Sequence, residues 1–137
     1  MPSTARLLCI DPAVVNALWP LARDLIKSAF DRTGLSDFAD TEKEVLSGLQ
    51  LLWLAWNGEA IEAAVTTQLI RISMRKICVI VACGGNNRAR WLPLLDGIED
   101  YARKEGCSGM RIYGRKGWER ALNGYRARHV VLTKELS

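Results

Sequence analysis

The first part of the chain carries apolar residues at the spacing of an amphipathic helix. Apolar side chains recur three or four positions apart from Val14 to Ala29, which places them on one side of a helix. Asp11 and Pro12 are suited to the cap and the first turn of this helix, and Thr33-Gly34 to its end. The pattern therefore predicts a long helix that covers a core.

A second, shorter helix is predicted after a polar, turn-like segment at residues 35–40. The sequence Thr41-Glu42-Lys43-Glu44 has the spacing of a capping box, in which the first and last side chains satisfy free backbone N–H groups at a helix start. We expect this helix to run through about Ser47.

Three apolar runs in the middle of the chain predict β-strands. Leu49–Trp56 and the stretch from Ala60 to about Ile72 flank Asn57-Gly58, and two runs joined at Asn-Gly are typical of an antiparallel hairpin. The third run, Ile77–Cys83, is almost wholly apolar, as a strand buried on both faces would be. We expect it to lie in the centre of the sheet.

The rest of the chain alternates helix and strand. Helical spacing returns after Gly84-Gly85-Asn86-Asn87, which is expected to break the third strand, and it stops at Lys104-Glu105-Gly106. Residues 108–113 and 126–134 are predicted strands, with a short helix at 118–122 between them. The predicted fold class is therefore α+β: a mixed, mostly antiparallel sheet of about five to six strands flanked by helices, in a single domain over residues 1–137.

Composition and cysteine usage narrow the class of protein. With 49% hydrophobic and 25% charged residues among 137, the chain is suited to one packed domain. No apolar run is long enough for a membrane span and no signal-like start is present, so a cytoplasmic protein is expected. The four cysteines form no C-x-x-C pair and the single histidine, His129, is distant from them in sequence, which predicts reduced thiols and no metal site.

Charge is distributed unevenly along the chain. Residues 1–68 hold 5 basic and 9 acidic side chains, whereas residues 69–137 hold 14 and 6, for net charges of −4 and +8. The basic half would attract an anion such as a phosphate-bearing cofactor, although a solvated basic face has the same composition. A nucleic-acid surface is disfavoured, because aromatic residues make up only 7% of the chain and the charge is spread over several elements.

The segment between the third strand and the following helix is a candidate site for that anion. Free backbone N–H groups at a helix start attract negative charge, and Gly84 and Gly85 would permit close approach of the backbone. Arg88 and Arg90 would add positive charge and paired hydrogen bonds. An ordinary glycine turn has the same pattern, so both interpretations remain open.

The order of the elements, together with Gly124-Tyr125 after the last helical segment, resembles the GNAT family of N-acyltransferases over residues 5–136. The resemblance implies that the third strand splays away from its neighbour and that acetyl-CoA or another acyl-CoA pairs with the exposed strand edge. The cofactor-binding residues that it implies are Val81, Cys83, Gly84, Gly85, Asn86, Asn87, Arg88, Ala89 and Arg90.

The same resemblance supplies candidates for catalysis and for the substrate cleft. In many members of the family a tyrosine five residues before the closing aromatic donates a proton, and Arg120 occupies that position here. The nearest phenols are Tyr113 and Tyr125, and Tyr125 is the candidate proton donor. The nearby carboxylates are Glu59 and Glu62 on the hairpin, and Glu62 is the candidate base, although a water could take that role. The candidates for the substrate cleft are Tyr113, Arg115, Trp118 and Arg120.

Two functions are compatible with the sequence. The first is transfer of an acetyl or other acyl group from coenzyme A to an amine. The second is a catalytically inactive GNAT-fold module for binding or assembly, which the replaced tyrosine favours and whose compact form looks like proteins carried by phages. The sequence is also compatible with a homo-oligomer, because the segment Leu51-Leu52-Trp53-Leu54 is apolar enough for strands of two subunits to pair there.

Overall fold

A computed structural model describes residues 5–33, 37–86, 92–112, 122, 124–130 and 132–136 of the chain. Within these residues the helices are α1 (Val15–Thr33), α2 (Phe38–Ser47) and α3 (Leu95–Lys104), the last preceded by a 3₁₀ turn at Leu92–Leu94. The strands are β1 (Arg6–Cys9), β2 (Leu51–Trp56), β3 (Ile61–Ile72), β4 (Arg75–Gly85) and β5 (Gly109–Ile112).

The strands form one sheet in the order β1-β2-β3-β4-β5. The first four strands pair antiparallel, whereas β5 pairs parallel to β4 because α3 carries the chain back along the sheet between them. The predicted α+β class, with a mixed and mostly antiparallel sheet, is confirmed.

The hairpin predicted at Asn57-Gly58 joins β2 to β3. Oδ1 of Asn57 accepts hydrogen bonds from the backbone N–H groups of Glu59 and Ala60, both at 2.8 Å. An asparagine side chain that satisfies the backbone in this way stabilises a tight turn, which explains why this sequence signal was reliable.

The second helix begins about one turn earlier than the capping-box prediction placed it. Asp37 is the N-cap, and its Oδ1 accepts a hydrogen bond from the backbone N–H of Ala39 at 2.9 Å, whereas Thr41 is buried inside the helix. The earlier start is stabilised by Phe38, whose ring stacks against that of Trp19 in α1. The prediction of a turn through residue 40 was therefore wrong for residues 38–40.

Two strand predictions differ from the structure. β1 was not predicted, because its four residues are mostly exposed and carry little periodic pattern. The strand predicted at 126–134 does not form in residues 126–130 and 132–134, where Val130 and Leu132 are exposed. Apolar side chains on this segment have no sheet face against which to pack. The helix predicted at 118–122 lies outside the described residues except for Leu122, which is buried.

The helices cover the two faces of the sheet and form a buried cluster with each. On one face, α1 packs Trp19 and Ile26 onto the sheet, and α2 adds Val45 at its edge. On the opposite face, Ile98 of α3 packs against a cluster that includes Ile80 of β4. β4 is thus covered by helices on both faces, as its continuous apolar sequence predicted.

Candidate functional site

The carboxyl-terminal half of β4 is paired on one side only within the described residues. On that side β3 pairs with β4 as far as Ala63 opposite Gly85. On the other side β5 pairs with β4 only through Ile80, which lies opposite Ile112. No residue that the structure describes pairs with Val81–Gly85 on this second side. This is the strand edge on which the sequence predicted cofactor binding.

A β-bulge lies directly after Ile80, the last residue of β4 with a described partner in β5. Thr66 of β3 lies opposite Ala82 and Thr67 lies opposite Ile80, so Val81 is an extra residue in β4 with no partner in the register of β3. A bulge of this kind turns backbone groups away from the ladder, and bulges are common beside active sites. Val81 therefore lies at the start of the one-sided part of β4.

A second bulge contains Glu62. Ile61 and Ala63 pair with successive residues of β2, which leaves Glu62 as the extra residue of β3. Its backbone oxygen accepts a hydrogen bond from the backbone N–H of Asn86 at 3.0 Å, so Glu62 lies beside the end of β4. The structure thereby brings Glu62, the predicted base, next to the described part of the predicted cofactor loop.

Gly84 and Gly85 belong to β4, so the prediction that they break this strand was wrong. A Cβ atom on Gly84 would collide with the carbonyl oxygen of Leu25 in α1, and one on Gly85 would lie 2.5 Å from the carbonyl oxygen of Glu62. Only glycine permits such close approach of neighbouring backbone. Packing within the fold accounts for both glycines, while a role for them in cofactor binding stays a prediction.

Tyr125 lies on the α3 face of the sheet. Its hydroxyl donates a hydrogen bond to Oε2 of Glu99 at 3.1 Å, and its ring packs against the same buried cluster as Cys83 and Ile112. Burial, followed by the negative charge of Glu99, raises the pKa of the Tyr125 phenol well above its ordinary value. The phenol is therefore protonated at neutral pH, as a proton donor must be.

Cys83, which the sequence places on the cofactor edge, is a poor nucleophile. Burial raises the pKa of its thiol to about 12, so the reactive thiolate is rare at neutral pH. Any contribution of Cys83 to a bound cofactor would come from packing rather than from covalent chemistry.

The remaining predicted site residues lie outside the described residues. They are Asn87, Arg88, Ala89 and Arg90 of the predicted phosphate loop, and Tyr113, Arg115, Trp118 and Arg120 of the predicted substrate cleft. Their roles stay predictions.

A cleft of about 610 Å³ opens on the sheet face that α2 flanks. Its floor is formed by Gln68 and Ile70 of β3 with Val79 and Val81 of β4, so three of its four residues are apolar. Its wall is polar except for Leu49 and is formed by α2 and the residues that flank it, with Asp37, Asp40, Thr41, Lys43, Glu44, Ser47, Leu49 and Gln50.

The sequence did not predict this cleft. The available signal was the spacing of its three acidic residues, since Asp37, Asp40 and Glu44 recur at the three- and four-residue steps that share one side of a helix. The signal could be read only once the helix was known to begin at Phe38, and the capping-box prediction placed the start later.

Solved structures with the same architecture span almost the whole chain. An aminoglycoside acetyltransferase from an uncultured soil metagenomic sample, crystallised with sisomicin, matches with a TM-score of 0.71 and 11% identity over 98% of this chain and 97% of that chain. A GNAT family acetyltransferase from Staphylococcus aureus has a TM-score of 0.63 and 14% identity over 97% and 99%. A possible acetyltransferase from Clostridium difficile has a TM-score of 0.59 and 13% identity over 98% and 99%. The chain has the GNAT fold.

The GNAT fold confirms the family resemblance on which the sequence prediction rested. No protein-family model and no curated protein matches the sequence. The similarity therefore lies in the order and packing of the elements, which a chain can retain after most of its residues have changed.

Val81 connects the two parts of the site in this GNAT fold. It is the bulge residue at which the one-sided edge of β4 begins, and it also lies on the floor of the α2 cleft. A ligand along the edge and a ligand in the cleft would thus both reach the same residue.

Metal sites and membrane-spanning helices are both absent from the described part of the GNAT fold. It holds no group of three or more His, Cys, Asp or Glu side chains that could bind a metal ion. Within the same residues, each helix is too short or too polar to cross a membrane.

Proposed function

We propose that this protein transfers an acyl group from an acyl-CoA to an amine. The observation that carries the proposal is the bulge at Val81, which follows the last pair between β4 and β5 among the described residues and also borders a cleft large enough for a small acceptor. Two ligands that must meet for a group transfer could do so at this residue. The GNAT fold and its acetyltransferase neighbours support the proposal.

The edge of β4 fits the long arm of an acyl-CoA. A strand edge offers backbone N–H and C=O groups, with which the amides of the pantetheine arm can pair as an added strand would. Val81–Gly85 would hold the arm, and Arg88 and Arg90 would pair with its phosphates. When bound, acyl-CoA would supply an activated thioester carbonyl.

Two side chains of the chain would manage protons at this site. An amine must lose a proton to become a nucleophile, and Glu62, which lies beside Asn86 about five residues along β4 from Val81, would accept that proton through a chain of waters. Tyr125 would hold a proton at its hydroxyl, because burial keeps the pKa of the phenol high. The Tyr125 hydroxyl would then donate this proton to the CoA thiolate as it leaves.

The proposal is tested first by cofactor binding. Acetyl-CoA and CoA should raise the melting temperature by an amount that grows with ligand concentration. The double variant Arg88→Ala/Arg90→Ala should reduce this increase. The matched control Arg71→Ala/Arg75→Ala removes the same charge at the far end of the β3–β4 hairpin and should leave the increase unchanged. An unmoved transition in millimolar acetyl-CoA and CoA would contradict the proposal.

Turnover is tested by release of free CoA thiol in the presence of an amine. Sisomicin, which is bound by one structural neighbour, and simple primary amines serve as acceptors, and mass spectrometry identifies the acylated product. A product whose mass increases by one acyl group would support the proposed reaction.

The alternative is a GNAT-fold module that binds without catalysis. Arg120 favours it, because arginine stands where a catalytic tyrosine is usual in the family and cannot donate a proton at neutral pH. Saturable binding of acetyl-CoA with no transfer to any acceptor would favour this alternative.

A further inference from the structure

We infer that the cleft between α2 and the β3–β4 face binds an acceptor amine that carries more than one positive charge. The inference rests on the proposed function, because it names the class of acceptor that this reaction would use.

The wall of the cleft is acidic although the whole chain is basic. Asp37, Asp40 and Glu44 face one lysine, Lys43, which leaves the lining with a formal charge of −2 (three acidic side chains less one basic), whereas the chain has +4. Carboxylates in a concave site attract cations more strongly than the same charges spread over a flat surface. The cleft therefore selects against the anionic partners that the rest of the chain would attract.

Gln50 provides a second, independent indication of a ligand. It lines the cleft and is 3% exposed. Its Nε2 donates a hydrogen bond to Oε2 of Glu44 at 2.6 Å, while its Oε1 is buried and has no hydrogen-bond partner among the described residues. A buried amide oxygen without a donor costs free energy, and a small rotation of the Gln50 side chain would present this oxygen to an amine or ammonium N–H in the cleft.

The arrangement suits an amine with several nitrogens better than one with a single nitrogen. The nitrogen that attacks a carbonyl must be uncharged, so it gains little from the carboxylates. A second nitrogen can remain protonated between Asp40 and Glu44. The three apolar residues of the floor, which ends at Val81, would receive the methylene chain that joins the two nitrogens.

The test compares two linear amines by calorimetry or NMR titration without any acyl-CoA. Spermidine carries several amines, whereas 1-aminobutane carries one. We expect spermidine to bind at least about 10-fold more tightly at low salt, and its affinity to fall as salt rises because exposed charges are screened. Equal affinity of the two amines, or no binding of spermidine at millimolar concentration, would overturn the inference.

Matched variants locate the binding. Asp40→Asn/Glu44→Gln removes two charges with little change of shape and should weaken spermidine binding about 10-fold. Asp100→Asn, on the opposite face of the sheet, should leave the affinity unchanged. Asp40→Lys, at an exposed position, replaces the double variant if that variant does not fold, and it should weaken binding at least as much. The inference would be overturned if Asp40→Asn/Glu44→Gln, or Asp40→Lys in its place, bound spermidine as tightly as the unmodified protein does.

Failure of the inference can be distinguished from failure of the proposed function. Selective spermidine binding that depends on the cleft charges, with no transfer of an acyl group, supports the site and contradicts the proposed reaction. Acylation of 1-aminobutane and spermidine at equal rates, unaffected by Asp40→Asn/Glu44→Gln, supports the reaction and overturns the inference about the cleft.

Discussion

The carbonyl oxygen of Leu25 in α1 occupies the place that a Cβ atom on Gly84 of β4 would need. We therefore expect Gly84→Ala to lower the free energy of unfolding by about 2 kcal/mol, because α1 or β4 must shift to make room. Gly109→Ala is the control, since its Cβ would lie 3.3 Å from the end of the flexible Ile77 side chain. Urea unfolding of the variants measures both effects, and equal stability of the two would contradict this account.

Two neighbouring threonines of β3 should respond to valine in opposite ways. Thr67 accepts a hydrogen bond from the buried indole N–H of Trp53 at 2.9 Å, so Thr67→Val leaves that N–H without a partner and should cost about 1 to 3 kcal/mol. Thr66 is equally buried, but its hydroxyl oxygen has no partner among the described residues. Thr66→Val should be neutral or stabilising by up to about 1 kcal/mol. Chemical denaturation measures the pair, and a larger loss for Thr66→Val would refute the assignment.

Glu42 should make stability depend on acidic pH. Hydrogen bonds from Trp19 at 2.7 Å and from Arg23 at 2.6 Å, in that order of importance, hold the pKa of its carboxyl below the ordinary value of 4.5. Because the folded pKa is the lower one, the stabilisation is present above about pH 4.5 and is lost as pH falls through the folded value.

The variant Glu42→Gln tests this dependence. At pH 7 it should cost about 1 kcal/mol, since the carboxylate is partly exposed, and the difference from the unmodified protein should narrow as the pH falls below 4.5. Glu105→Gln is the control, because its carboxylate is 3.8 Å from Lys76 and half-exposed, and it should change stability by less than about 0.5 kcal/mol. A pH-independent difference for Glu42→Gln in urea titrations would count against the linkage.

Tyr125→Phe should lower the rate of acyl transfer by about 100-fold if the phenol donates a proton. The matched control is Tyr101→Phe, which removes another phenol on the α3 face whose pKa burial raises to about 12. Tyr101 packs edge-on against Trp53, and its substitution should leave the rate close to that of the unmodified protein. The turnover number at saturating acetyl-CoA is the measurement. Equal loss in both variants would point to packing and not to proton transfer.

Part of the candidate site was accessible from the sequence. The family resemblance led to Glu62 and Val81, and the register of the sheet sets both apart as bulge residues. The acidic cleft was not accessible in this way, because its wall and floor come from elements distant in sequence. Asp40 of α2 and Val81 of β4, for example, both line it but lie in elements that β2 and β3 separate along the chain.

The sequence by itself determined the features that depend on near neighbours along the chain. Three such features were predicted: the periodicity of α1, the turn at Asn57, and the end of α3 shortly before Gly106, whose φ is +82°. Helix spacing and turn chemistry act over only a few residues, so the local sequence contains the information for them. Only the tertiary structure decided the early start of α2 at Phe38, the bulge at Val81 and the meeting of α1 with Gly84. These depend on which distant side chains and backbone atoms compete for the same space, and local periodicity contains no information about that competition.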